Sequence, residues 1–139
     1  MTTARHWIGV VSRDHVLIGV AGGFAMMNHG KLAPLNRMSP GDTLIVYSPK
    51  TAYPEGAPLK AFTAIGTVGT TPPYQSEMRF GGLGYRLDID WMPATETPIL
   101  ALSDRLEFTK GNWGTLARRG QFEISPADAK TIRHAMTGE

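Results

Sequence analysis

Glycine and proline set the scale of structure in this chain. Its 16 Gly and 10 Pro are spread along the sequence instead of gathering in one linker, and they break the apolar residues into short runs. Short runs bounded by turn residues make strands and hairpins more readily than long helices. No internal repeat and no low-complexity tract interrupts the pattern.

Read from the N-terminus, residues Trp7 to Ser12 are β-branched, aromatic or small throughout, which predicts a strand buried on both faces. Residues Asp14 to Val20 predict a short helix that stops at Gly22-Gly23. Ser39-Pro40-Gly41-Asp42 has the chemistry of a tight turn, with Pro presetting its dihedral and Gly tolerating positive φ. A strand from Thr43 to Ser48 follows. Four breakers, Pro49, Pro54, Gly56 and Pro58, then predict an exposed loop before a second long strand over Ala61 to Thr70. Gly66 and Gly69 in that strand predict bulges or the close approach of another backbone.

Tyr85, Leu87, Ile89 and Trp91 alternate with Arg86, Asp88 and Asp90, the period of a strand with one buried and one wet face. Near the C-terminus, Gln121 to Ile124 predicts a strand. Ser125 then stands as a helix N-cap, with Pro126 at the first helical position and Ala129, Ile132 and Met136 on one face. Strands joined this closely leave little room for repeated parallel crossovers. The fold class is α+β, and residues 1–139 read as a single domain.

The 139 residues suffice for one core, and 42% hydrophobic against 19% charged residues is the balance of a folding chain. Cysteine is absent, so disulfides, thiolate metal sites and cysteine nucleophiles are excluded. No apolar stretch approaches the roughly 20 residues of a membrane span, and the N-terminal residues lack a secretory pattern; the expected address is cytoplasmic. Net charge is +2, too small alone to argue for a polyanionic partner. Its distribution is uneven. Residues 1–60 hold six Lys or Arg against three acids, 61–104 two against five, and 105–139 six against four. A basic patch forms if the two ends meet; otherwise the charges are a solvated surface.

Three segments carry a family resemblance. The first is Arg5-His6-Trp7-Ile8-Gly9-Val10-Val11-Ser12-Arg13-Asp14-His15. The second runs from Gly22-Gly23-Phe24 through Asn28-His29-Gly30-Lys31 to Pro34-Leu35, then into Pro40-Gly41-Asp42 and Tyr47-Ser48-Pro49. The third joins Phe62-Thr63-Ala64-Ile65-Gly66, Pro73-Tyr74-Gln75, Asn112-Trp113-Gly114 and Phe122-Glu123-Ile124. In order and spacing, over about residues 5 to 135, they resemble the EVE domains of the PUA-like superfamily, relatives of the YTH and ASCH domains. The resemblance implies a PUA-like pseudo-barrel of about six mixed, mostly antiparallel strands with flanking helices. It also implies a pocket between the first strand, the Gly22 to Lys31 segment and the loop around Tyr74. YTH relatives take a flipped, methylated base into a similarly placed pocket with aromatic walls. Here Phe24 is the one Phe, Tyr or Trp in the Gly22 to Lys31 segment, so their Trp cage has no copy there.

The residue types at these positions suit base recognition. Asn28 offers an amide for a base edge, His29 a titratable ring and Lys31 a cation for phosphate. The plainer reading is a turn capped by Asn28 with His29 and Lys31 solvated. Gly22 and Gly23 leave room for backbone N–H groups to meet a ligand, or simply make a turn. Trp7, Tyr74, Trp91 and Trp113 are candidates for a stacking surface, Trp7 and Tyr74 foremost, whereas Trp91 reads as core; Phe24 joins the candidate ligand-binding residues. Ser12 and Gln75 are candidate hydrogen-bonding groups, and Arg86 either meets a phosphate or pairs with Asp88 or Asp90.

No helical zinc spacing occurs among His6, His15, His29 and His134, and no nucleotide-binding glycine motif is present, so neither metal nor cofactor is expected. The expected function is a non-catalytic module that binds a modified nucleobase in DNA or RNA. Two alternatives stand beside it. One is an ASCH-like amidohydrolase using Lys31 with Thr63 or Thr67 and Glu77. The other is a protein-interaction adaptor, marked by a flat apolar patch in place of a cleft.

Overall fold

A computed structural model describes residues 3–78 and 81–139. Its backbone is one curled, mixed sheet shaped as a half-barrel, with four helices against it. Along the sheet the strands run β2 (Phe24–Ala25), β6 (Leu83–Trp91), β4 (Pro58–Val68), β3 (Thr43–Lys50), β1 (His6–Val10) and β8 (Gln121–Ile124). Two further strands lie off this path: β5 (Tyr74–Glu77) pairs with β6, and β7 (Thr97–Pro98) with β4. The pair β1–β3 is parallel, Ile8 opposite Ile45, while the other pairings are antiparallel. The expected mixed, mostly antiparallel arrangement is therefore present, as a half-barrel whose main path has the six strands expected and to which β5 and β7 add two more.

Parallel neighbours cannot be joined by a tight turn. Residues 11–42 accordingly form a long crossover from β1 to β3 that carries α1 (Arg13–Gly22), β2 and α2 (Leu32–Arg37). The remaining helices, α3 (Trp113–Arg118) and α4 (Pro126–Thr137), flank β8. No described helix is long and apolar enough to cross a membrane.

Strand pleat divides the core in two, because successive side chains point to opposite faces. On one face Ile8, Ile45, Tyr47 and Ile65 pack with Leu102, Leu106, Phe122 and the Ala129, Ile132 and Met136 stripe of α4. On the other Trp7, Leu44, Val46, Ala64 and Val68 pack with Val16, Met27, Leu35 and Leu87 from the crossover and β6. The second face positions the site.

Several local expectations are met. Ser125 caps α4 by accepting from the Asp128 N–H at 3.1 Å, with Pro126 in the first turn. Gly23 is the left-handed C-cap of α1, its N–H donating to the Gly19 carbonyl. The turn before β3 closes through the buried carboxylate of Asp42, which accepts from the Ser39 and Arg5 N–H groups and from the Trp7 indole N–H. Gly66 lies where β6 comes close: a Cβ there would sit 2.8 Å from the Asp90 carbonyl oxygen. Other expectations need revision. The first strand ends at Val10, since Ser12 already precedes α1 as its N-cap. The residues around Tyr74 make strand β5, not a loop.

Candidate functional site

A cavity of about 580 Å³ opens between the end of β1, α1, the turn after β2 and the loop that follows β3. That lies within the ~300–1,000 Å³ span of small-molecule sites. Val10, Val16, Met27, Leu44 and Val46 make its apolar wall, and Ser12, His15, Asn28, His29, Lys50 and Arg86 supply polar groups. No carboxylate is found among the described lining residues.

The crossover shapes this opening. Asn28, His29 and Gly30 are three successive residues with positive φ, at 47°, 59° and 85°. This tight left-handed turn ties to β6 through the Tyr85 N–H, which donates to the Gly30 carbonyl at 2.8 Å. It leaves Asn28 against the backbone of Gly120: a Cβ at Gly120 would lie 2.0 Å from the Asn28 Oδ1. Gly120 itself has φ +80° and its carbonyl accepts from the Val10 N–H at 2.8 Å. The chain just before β8 thus braces the amide from behind.

Aromatic groups frame the cavity. The Arg86 guanidinium lies over the Phe24 ring, 3.9 Å from its centroid, and its Nη2 donates to the Glu77 carbonyl at 3.1 Å. Arg86 therefore forms no ion pair with Asp88 or Asp90, the partners its strand position suggests. Across the opening the ring of Tyr53, 61% exposed, packs at 5.1 Å and 55° to His29. Lys50 is held nearby by donating to the Pro54 carbonyl at 3.1 Å. The Ser12 hydroxyl donates to Asp14 at 2.7 Å, so its lone pairs remain to accept.

Of the residues singled out in the sequence, Ser12, Phe24, Asn28, His29 and Arg86 line this one cavity. The rest lie elsewhere. Trp7 is 5% exposed, its N–H bonded to Asp42 and its ring covered by the Arg5 guanidinium at 4.6 Å, so it is a core residue and not a cavity wall. Tyr74 stands on β5 and donates its hydroxyl to Asp88 at 2.9 Å. Desolvation and that hydrogen bond raise its phenol above the ordinary value. Gln75 is exposed on the same strand, opposite Tyr85. Lys31 is the exposed N-cap of α2, just past the Asn28 turn. Gly22 and Gly23 end α1 and do not line the cavity. A Cβ at Gly22 would sit 2.5 Å from the Phe24 ring, so Gly22 lets that ring fold back against the helix end.

Tyr53 is the residue that sequence reasoning passed over. Its signal is in the sequence: an aromatic in a loop rich in Pro and Gly has few packing partners. The hydrolase set does not assemble in the cavity, for Lys31, Thr63, Thr67 and Glu77 are all outside its lining. Thr63 is instead buried in a hydroxyl pair with Ser48 at 2.8 Å. No group of three His, Asp or Glu side chains able to hold a metal comes together among the described residues.

Comparisons with known proteins agree with this architecture. Among solved structures, a hypothetical protein from Leishmania major superimposes with a TM-score of 0.59 at 13% identity, over 94% of this chain and 92% of that one. The NMR structure of Rpa0253 from Rhodopseudomonas palustris gives 0.58 at 16% identity, over 93% and 90%. At that identity the likeness concerns the fold alone. Sequence relatives are much nearer. UPF0310 protein YdcG of Bacillus subtilis (strain 168) is 51% identical over 136 residues, 95% of this chain and 92% of the relative. A UPF0310 protein of Mycobacterium avium (strain 104) is 48% identical over 134 residues, 95% and 97% of the two chains. The sequence model of the EVE domain matches residues 5–135, nearly the whole chain. The protein belongs to the EVE domain family, a branch of the PUA-like fold.

Proposed function

We propose that this protein is a non-catalytic reader that accepts a modified nucleobase, presented by DNA or RNA, into the cavity beside Asn28. The observation that carries this reading is the cavity's composition: an apolar wall, a few convergent polar groups and no carboxylate among the described lining residues. An uncharged planar ring with polar edges fits such a lining.

In this reading Asn28 pairs with the base edge, since an amide offers a donor and an acceptor side by side. Ser12 accepts from an exocyclic amino group. Phe24 with its stacked Arg86, and His29 with Tyr53, sandwich the ring, as aromatic and guanidinium planes do for unstacked bases. Lys31, beside the opening, meets phosphate. Extruding a base from a duplex costs a few kcal/mol, less when the base is modified or already single-stranded, and that difference is a source of selectivity. We place such a reader in the cytoplasm.

Binding of oligonucleotides that carry a methylated cytosine or adenine, against unmodified controls, tests the reading. Tighter, salt-weakened binding of a modified oligonucleotide is expected, because each phosphate contact releases counterions. Equal affinity for modified and unmodified strands, or no binding, overturns it.

A further inference from the structure

Two carboxylate-free stretches of this chain meet at the rim of the cavity. Residues 26–41 contain Lys31 and Arg37 and no acid; residues 113–122 contain Arg118 and Arg119 and no acid. Together they hold four of the 14 Lys and Arg and none of the 12 Asp and Glu, which leaves ten cations against twelve acids elsewhere. The surplus of positive charge is therefore concentrated in these two stretches.

Tertiary structure joins them. The Arg37 guanidinium donates to the Gln121 Oε1 at 3.2 Å, the Gln121 amide donates to the Pro34 carbonyl at 2.7 Å, and Gly120 abuts Asn28. The acids that bound these stretches in sequence are engaged. Asp42 is buried and accepts from three donors, Glu107 is bonded to Ser125, and Glu123 pairs with Arg5 at 2.6 Å. Lys31, Arg37, Arg118 and Arg119 are exposed, and none has a carboxylate within ion-pair distance among the described residues.

We infer that this ridge is the track for a sugar–phosphate backbone, with Lys31, Arg37, Arg118 and Arg119 as its phosphate contacts and the cavity at Asn28 receiving a base from the strand laid along it. The inference rests on the nucleobase reading above and adds the path of the polymer. It follows that a free nucleoside uses only half of the interface. Point charges spaced along a surface recognise a polyanion by neutralising it, without regard to sequence.

The test uses the full chain and the Arg118→Ala/Arg119→Ala and Arg118→Lys/Arg119→Lys variants. Probes are single-stranded oligonucleotides of about twelve nucleotides, with and without a methylated cytosine or adenine, the free methylated nucleosides, and a polyglutamate peptide. Affinity is measured from about 50 to 200 mM salt. A single strand loses about 0.7 in log–log salt slope per phosphate contact, so the double-alanine variant should flatten the slope by roughly 1.4 on either oligonucleotide. The double-lysine variant should retain it, and nucleoside affinity should not move. An unchanged slope with the methylated strand still preferred overturns the track and leaves the base reading standing. A flattened slope with no preference for the methylated strand supports the track and removes the base reading. Equal losses for nucleoside and oligonucleotide, or a larger loss for polyglutamate than for either strand, overturn the track.

Discussion

Gly120 is the point where the scaffold touches the recognition residue, so Gly120→Ala is the most informative single change. Its effect has two separable parts. At φ +80° an added Cβ strains the backbone by about 1–2 kcal/mol. The same methyl would stand 2.0 Å from the Asn28 Oδ1, so the amide must leave its place, a forced repacking that costs about 1–3 kcal/mol. Asn28→Gly removes the amide while keeping a residue that accepts the φ of 47°. In that background only the backbone strain remains. Urea unfolding of the wild type, the two single variants and the double variant should therefore give a coupling of about 1–3 kcal/mol, with Gly120→Ala the milder change when Asn28 is Gly. Oligonucleotide affinity should fall in both single variants and fall no further in the double. If Gly120→Ala costs the same stability in both backgrounds, the contact between Gly120 and Asn28 is not what the geometry implies, and the bracing argument fails.

Other expectations follow from the same contacts. Tyr53→Ala removes an exposed ring at the opening, so it should weaken methylated-oligonucleotide binding by about 1–3 kcal/mol while the thermal midpoint stays put, measured by anisotropy and calorimetry in parallel. Asp42→Ala leaves the Trp7, Ser39 and Arg5 N–H groups without their acceptor and should cost about 3–5 kcal/mol in urea unfolding; a loss under 1 kcal/mol would show that water or a neighbour replaces it. Ser125→Ala deletes the α4 cap and should cost about 1 kcal/mol. Burial raises the Tyr47 phenol, so its contribution is intact below the unfolded phenol value of about 10 and is lost as pH rises through the higher folded value. Tyr47→Phe should flatten that alkaline loss of stability, which unfolding curves on either side of pH 10 will show.

What could be read from the sequence was local. The α4 cap and stripe depend on residues within one or two turns of each other, and Gln121 to Ile124 is marked off by Gly120 and the cap. The alternation of β6 needs only its own nine residues. What escaped depends on distant partners or on ambiguous breakers. Trp7 reads as a cavity wall from its place on the first strand, and only Asp42, 35 positions away, which accepts its N–H, marks it as a core ring. Helix α2 spans six residues, too few for a periodic pattern, with Pro34 in its first turn, where a missing N–H does no harm. Pro72 and Pro73 made Tyr74 look like part of a loop, although β5 begins immediately after them. The meeting of residues 26–41 with 113–122 is a fact of topology, and no window of sequence contains it.

The parallel pairing of β1 with β3 reaches further than the sheet. Because that pair demands a long connection, residues 11–42 had to travel around the half-barrel, and Ser12, His15, Asn28 and His29 ride on that excursion. The strands anchor both of its ends, and β2 pins its middle to β6. Recognition and framework are thereby interleaved along the chain: Val16, Met27 and Leu35 of the same excursion fill the core, and Tyr53 and Arg86 reach the cavity from outside it, so a graft of residues 11–42 between members of this fold should carry specificity only when those core contacts and positions 53 and 86 are matched in the host.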